Sequence, residues 1–328
     1  MADLSTTYMG LKLKSPVIIG SSGLTNNIEK IKEIELAGAG AVVLKSLFEE
    51  QIKHDIRRVF SHDDMAGAYT EADDYIAHYS REHKVEEYLN LIRSCKESTS
   101  FPIIASVNCV SASEWISFSK KIELAGADAL ELNVFVLPSD VTKEAPEYQK
   151  LYFDLLEKVK KEIKIPVAMK ISSYFTDLGN MVKMLGWSGA NGVVLFNRFF
   201  SPDIDIERKR MAVGGIYSSP DEIVTSLRWI GLLAGNVQVD LCASTGVHDG
   251  AGVVKQLLAG AKAVQVCSAI YQKGVPHIKL INDEIISWME RNQYEKISDF
   301  AGKMSSKALG SSSSFMRVQF MKHFAGIE

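Results

Sequence analysis

The chain has 328 residues, 46% of them hydrophobic and 23% charged, with a formal net charge of -3. That balance excludes a disordered or fibrous protein, and the interspersed lysines and acids give no electrostatic footprint for nucleic acid. No apolar run approaches the roughly 18 residues a membrane span needs, and Met1-Ala2-Asp3-Leu4-Ser5 has neither the basic nor the apolar region of a signal peptide, so the expectation is a cytoplasmic protein with a small-molecule partner.

In chain order, the pattern predicts strand one over Val17 to Ser21, a helix from Ile28 to Ala37, and strand two over Ala41 to Lys45. About forty charged, irregular residues follow, long for a loop, and these are expected to contribute to a lid. The rhythm then resumes with helix Glu86 to Lys96, strand three Ile103 to Val107, helix Ser113 to Leu124, strand four Ala129 to Asn133 and helix Tyr148 to Glu162. Strand five is Val167 to Lys170, followed by helix Asp177 to Leu185 and strand six, Gly192 to Asn197. After a second long insertion come helix Asp221 to Leu233, strand seven Val237 to Leu241, helix Ala251 to Leu258, strand eight Ala263 to Cys267 and helix Pro276 to Glu290.

One phrase recurs four times across these elements, at Leu36 to Leu44, Leu124 to Leu132, Gly189 to Phe196 and Leu258 to Val266. Each is a helix stopped by a glycine able to take the left-handed conformation, then a short aliphatic strand without polar alternation. Such strands are covered on both faces, so eight βα units without a linker predict a (β/α)8 barrel with inserted loops on its C-terminal face. An open doubly wound sheet is the rival, but no Gly-x-Gly-x-x-Gly follows strand one. Residues 1–290 form the barrel in this reading. The extension 291–328, with Ser311 to Ser314 and then Phe315, Met316, Phe320, Met321 and Phe324, packs on the barrel or makes a dimer contact.

The strand ends carry the chemistry. Counting from the repeated glycine, Lys45, Asn133, Asn197 and Cys267-Ser268 stand at offsets of seven, seven, eight and seven. Lys45 and Lys170 close apolar strands, where an ammonium is costly unless an anion meets it. A structural ion pair, a bound anion, or for Lys170 a Schiff-base nucleophile each fits that position. Asn133, Asn197 and Asn108 offer donors and acceptors to an amide-rich ring. Ser244-Thr245-Gly246 and Cys267-Ser268 follow strands seven and eight, where barrels place a phosphate cradle, and Gly214-Gly215 is another point of close backbone approach. The four cysteines, Cys95, Cys109, Cys242 and Cys267, lack the paired spacing of a disulfide framework or zinc site.

In order and spacing, Pro16 to Gly23, Gly38 to Ser46, Glu131-Leu132-Asn133, Val167 to Lys170 with Tyr174-Phe175, Asn197, Gly214-Gly215, Ser244 to Val247 and Cys267-Ser268 resemble the soluble dihydroorotate dehydrogenases. The resemblance covers roughly residues 5 to 290. It implies an FMN-binding barrel acting on a dihydropyrimidine-like substrate, and a homodimer. It also implies that Ser21, Lys45, Ser46, Asn108, Asn133 and Lys170 meet the flavin ring or ribityl chain, and that Gly215, Ser244, Thr245, Gly246, Cys267 and Ser268 hold its phosphate. Lys45, Asn133 and Asn197 would contact substrate, with Lys45 supporting the reaction.

The family's strand four runs into a loop whose cysteine or serine removes a substrate proton. Here the loop reads Asn133-Val134-Phe135-Val136-Leu137-Pro138, with Val136 at the base position and Pro138 replacing a substrate asparagine. The segment after strand two has no Asn-Ser-x-Gly-x-x-Asn match. Two further readings therefore stand beside an FMN-dependent oxidoreductase of the pyrimidine pathway: an FMN-binding protein without dehydrogenase activity, and a Lys170 Schiff-base aldolase. Ser139, Tyr174 and Cys109 are the candidates to replace the base, and Arg198 is a candidate for binding a different carboxylate.

Overall fold

The four repeated glycines stop their helices by one geometry. In the computed structural model, which describes residues 2–48, 70–108, 112–199 and 201–316, Gly38, Gly126, Gly189 and Gly260 have φ of 94, 96, 98 and 115°. The next residue's N–H reaches back five positions in every case: Ala39 to Ile34, Ala127 to Ile122, Ala190 to Leu185 and Ala261 to Gln256. This is the Schellman arrangement, which satisfies the last helical carbonyls and turns the chain directly into a strand.

The elements are β1 Thr6–Tyr8, β2 Leu11–Leu13, β3 Val17–Ile19, α1 Ile28–Leu36, β4 Ala41–Val43, β5 Leu47–Phe48, α2 Thr70–Ser98, β6 Ile103–Asn108, α3 Ala112–Leu124, β7 Ala129–Asn133 and α4 Ala145–Glu162. Next come β8 Val167–Ile171, α5 Leu178–Trp187, β9 Gly192–Leu195, β10 Pro202–Asp205, β11 Arg210–Val213, α6 Ile223–Leu233, β12 Asp240–Ser244, α7 Gly250–Ala259, β13 Ala263–Val266, α8 Ser268–Lys273 and α9 His277–Arg291. Parallel pairing runs β4-β3-β13-β12-β9-β8-β7-β6, and β4 pairs β6 to close the ring. The chain is a (β/α)8 barrel.

Several boundaries differ from the sequence reading. Helix α2 begins at Thr70 rather than Glu86, and α4 begins at Ala145 because Pro146 sits in its first turn, where no N–H is required. Strand seven is Asp240–Ser244, not Val237 to Leu241. Its first residue is polar because the Asp240 carboxylate accepts the Met9 N–H at 2.8 Å. Two antiparallel hairpins were not anticipated: β1–β2 at the N-terminus and β10–β11 within the insertion after β9. Most of the segment expected to form a lid, 49–69, lies outside the described residues.

Strand alternation divides the interior into two cores. Outward side chains such as Val17, Val42, Leu130, Met169, Val193 and Leu241 pack against the helices. Inward ones such as Ile18, Val43, Ile104, Ala168, Val194 and Cys242 fill the barrel. Tyr8, Met9 and Leu13 of the first hairpin belong to that inner core and plug its N-terminal end. The two-residue turn has φ of 54° at Met9 and 79° at Gly10, as a tight hairpin requires.

The described part of the extension lies against the barrel's helices. Ile297 and Phe300 are buried, Gly302 and Met304 donate to the Leu257 and Leu258 carbonyls, and Ser306 donates to Gly231. Phe320, Met321 and Phe324 lie outside the described residues. The plug leaves no room at its contact with β9: a Cβ on Gly192 would lie 2.6 Å from the Tyr8 hydroxyl and 2.9 Å from Met9 Cγ. Gly192→Ala is therefore expected to cost about 1–3 kcal/mol, read as a lower urea midpoint at unchanged m-value; a wild-type midpoint would show that the hairpin moves aside freely.

Candidate active site

A cavity of about 980 Å³ opens at the C-terminal ends of the strands. Gly20, Asn108, Asn133, Lys170, Phe196, Ser244 and Cys267 line it, so seven of the eight barrel strands contribute at or just beyond their ends. Ser21, Val136, Asn197, Thr245, Gly246 and Ser268 are also in its wall, which brings together most of the residues singled out from sequence. Lys45, Ser46 and Gly215 are not in the wall. Ser46 stands behind Ser21: its N–H donates to Ser21 Oγ at 2.8 Å, and its hydroxyl joins Ser21 at 2.9 Å and Ser106 at 2.7 Å. Lys45 is half-buried at the end of β4, the one strand missing from the wall.

Lys170 meets its anion inside the barrel. Its Nζ donates to Gln265 Oε1 at 2.8 Å, Gln265 Nε2 donates to Glu131 Oε2 at 2.5 Å, and Glu131 Oε1 lies 3.9 Å from the ammonium. Glu131 is 1% exposed. Its burial is tolerable because the opposite charge and the amide are beside it. That geometry suits an ammonium rather than the free amine a Schiff base requires. Neither Glu131 nor Gln265 was singled out from sequence, although both sit two residues before a strand-end residue that was.

The asparagines divide their work. Asn197 Nδ2 donates to the Val134 and Lys170 carbonyls at 3.1 and 3.2 Å, clasping the tops of β7 and β8. Both its N–H groups are spent, so its carbonyl oxygen is what remains for a ligand. Asn133 Oδ1 is buried without a protein partner.

The β12 and β13 loops form the opposite side. Thr245 and Gly246 both have positive φ, 75 and 77°, and a Cβ on Gly246 would come within 2.1 Å of the Ile223 N, so this turn presses against the start of α6. Thr245 Oγ1 donates to the Phe196 carbonyl at 3.3 Å, and Ser268 Oγ accepts the Ser218 N–H at 3.0 Å. Ser218 Oγ in turn meets His248 Nε2 at 3.2 Å. Burial lowers the His248 pKa, and burial raises that of the Cys267 thiol, so both are neutral at pH 7.

Arg198 lines the cavity, with most of its N–H groups already engaged within the protein. Its Nε bonds Glu222 Oε2 at 2.9 Å, and its guanidinium donates to the carbonyls of Gly215, Ile216 and Tyr217 at 2.9, 3.0 and 3.2 Å. It straps the second insertion to the entry of α6, and Gly215 is held by this strap.

The β7 loop wall is apolar. Phe135 stacks on Phe199 with centroids 4.0 Å apart, and Tyr174 meets Phe199 edge-on at 5.1 Å. Val136 also borders a separate cavity of about 270 Å³ that Tyr174 lines. Ser139 is exposed and lines neither cavity, and Cys109 lies outside the described residues. Among the described residues no three histidine, cysteine or acidic side chains cluster as a metal site, and no helix is long and apolar enough to cross a membrane.

Known proteins resemble this chain in sequence over most of its length. The model of the family described as dihydroorotate dehydrogenase matches residues 3–289. The chain is 26% identical to the catalytic subunit of dihydroorotate dehydrogenase B (NAD(+)) of Thermoplasma volcanium, over 92% of this chain and 98% of that protein. It is 27% identical to the subunit of the same name from Methanocaldococcus jannaschii, over 88% and 94%. Dihydroorotate dehydrogenase A (fumarate) of Lactobacillus helveticus is 26% identical over 62% of this chain and 67% of its own. With the family's model spanning nearly all of the barrel, the chain belongs to the dihydroorotate dehydrogenase family.

Proposed function

We propose that this chain is an FMN-dependent oxidoreductase in which the cofactor's residues are retained and the β7 loop no longer removes the substrate's proton. One observation carries the reading: polar residues from the strand ends converge on one cavity while Val136, which the family resemblance aligns with the proton-removing position, lies in its wall. The cavity's volume is at the upper end of the roughly 300–1,000 Å³ usual for ligand pockets, enough for a cofactor with a substrate against it.

The donor set suits flavin mononucleotide. Asn133 Oδ1, buried and unpartnered, calls for an N–H such as the isoalloxazine ring carries. Lys170 has spent one of its three N–H groups on Gln265, and the others are available to the ring's pyrimidine edge. The Ser244-Thr245-Gly246 turn and Cys267-Ser268 present small side chains and backbone N–H groups for the phosphate, as loops after the last barrel strands do. Ser21 offers a hydroxyl to the ribityl chain, with Ser46 fixing it from behind.

When bound, FMN supplies the two-electron acceptor for oxidation of a substrate C–H bond. The protein's residues do the rest. Lys170 places positive charge where the reduced ring is negative. The Asn197 carbonyl accepts from a substrate N–H, and Asn133 supplies the neighbouring amide. Val136 and Phe135 exclude water from the face where the proton leaves but offer no lone pair to receive it. The same observation favours a second reading, an FMN-binding protein that does not turn over dihydroorotate. Cytoplasmic location and a homodimer belong to the proposal as properties expected of a soluble family member.

Purified protein is expected to be yellow, with a flavin absorbance spectrum and stoichiometric FMN on extraction. A colourless protein that takes up no FMN would sink the proposal. Anaerobic mixing with dihydroorotate is expected to bleach that spectrum slowly, and Val136→Cys to accelerate bleaching by about 10²–10⁴-fold, the range of a lost general base. Rapid bleaching in the unsubstituted protein would show that another group takes the proton.

A further inference from the structure

Glu131 is the most deeply buried acid near the cavity, and the chemistry above does not use it. It is 1% exposed, faces inward from β7 beside Ser106 of β6 in register, and keeps one carboxylate oxygen, Oε1, without a hydrogen-bond partner. Its other oxygen accepts from Gln265 Nε2, whose Oε1 accepts from Lys170. The amide is thereby oriented by its two ends: oxygen toward the cation, nitrogen toward the anion.

This bridge does something a direct salt bridge would not. The Lys170 ammonium and the Glu131 carboxylate approach only to 3.9 Å, so the lysine spends a single N–H on the protein's interior and keeps two for the cavity. The groups around the pair are neutral: burial raises the pKa of Tyr8 and Cys242 below it and of Cys267 beside it, so each keeps its proton. Glu131 is the matched negative charge at the barrel's centre.

We propose that Glu131 is the positioning residue of the cofactor site: acting through Gln265, it holds Lys170 fixed at the cavity floor and offsets its charge beneath the bound ring. This rests on the FMN reading for its effect on the ring, but not for its effect on Lys170. Glu131 and Lys170 thereby push the ring's electron affinity in opposite directions. Reduction adds negative charge to the ring, so the cation favours it and the buried carboxylate opposes it.

Two measurements test this. In FMN-loaded protein the flavin midpoint potential is expected to shift upward in Glu131→Gln, downward in Lys170→Gln, and to lie in Glu131→Gln/Lys170→Gln above the Lys170→Gln value. Glu131→Asp, which keeps the charge, is expected to stay near wild type. An unchanged or lowered potential in Glu131→Gln overturns the proposal, as does a double variant no higher than Lys170→Gln; that comparison also decides if Glu131→Gln alone does not fold. In FMN-free protein, acetic anhydride is expected to modify Lys170 several-fold faster in Glu131→Gln than in wild type, because the Gln265 amide that ties down the lysine is no longer held by a carboxylate, read by mass spectrometry of the Lys170 peptide. Equal rates overturn the proposal. If the wild type binds no FMN, the FMN reading fails and the acylation rates alone decide the role of Glu131.

Discussion

The pleat of the parallel strands is the constraint on which both stability and site depend. In a closed barrel, residues two apart along a strand face the same axis, so each strand must serve the inner core at its base and the cavity at its tip with one alternating set. Strand β7 shows the consequence: Ala129, Glu131 and Asn133 share the inward face, passing from apolar packing to buried charge to the cavity wall within five residues. Strand β8 does the same with Ala168 and Lys170, and β13 with Ala263 and Gln265. The polar layer formed by Glu131, Lys170 and Gln265 is the boundary between the sealed core and the open site. A charge there costs free energy unless its partner arrives from another strand, so register between β7, β8 and β13 and the integrity of the site are one requirement.

Much of this was legible because its cause is local. A glycine seven residues before a strand tip marks a Schellman turn and counts out the strand, and the first three repeats led directly to Lys45, Asn133 and Asn197. What was not legible is non-local. Glu131 and Gln265 lie inside strands, and nothing in their neighbours says that residues 134 positions apart share a hydrogen bond. Asp240 made strand seven look as if it began earlier, because a half-buried aspartate in a strand is justified only by the Met9 N–H it receives from the far end of the chain. Helix α2 reads as irregular over its first half because charged and polar residues outnumber apolar ones there. The partners of Arg198 were not legible either, since three of them are backbone carbonyls.

The proposed division between a retained cofactor site and an altered reaction would follow from where each is built. The residues suited to the flavin come from strand tips, whose side-chain directions the barrel fixes, and from the β12 and β13 turns, which Gly246 locks against α6. The proton-removing position sits instead in the β7 loop, beyond the last ladder pair of Asn133 with Lys170. A loop there can exchange a thiol or hydroxyl for valine without disturbing any strand. Val136 packs against the outer core, and the neighbouring Phe135 stacks on Phe199, so a valine at this point adds apolar contact that a thiol or hydroxyl would not. A polar base at that point would have to be desolvated against these same rings, which would raise its pKa if it were acidic. On the proposed reading the aromatic cover and the missing base belong together: an apolar wall at this point is more stable without an ionisable group in it, and the exchange would leave the strand-tip residues proposed for the cofactor untouched.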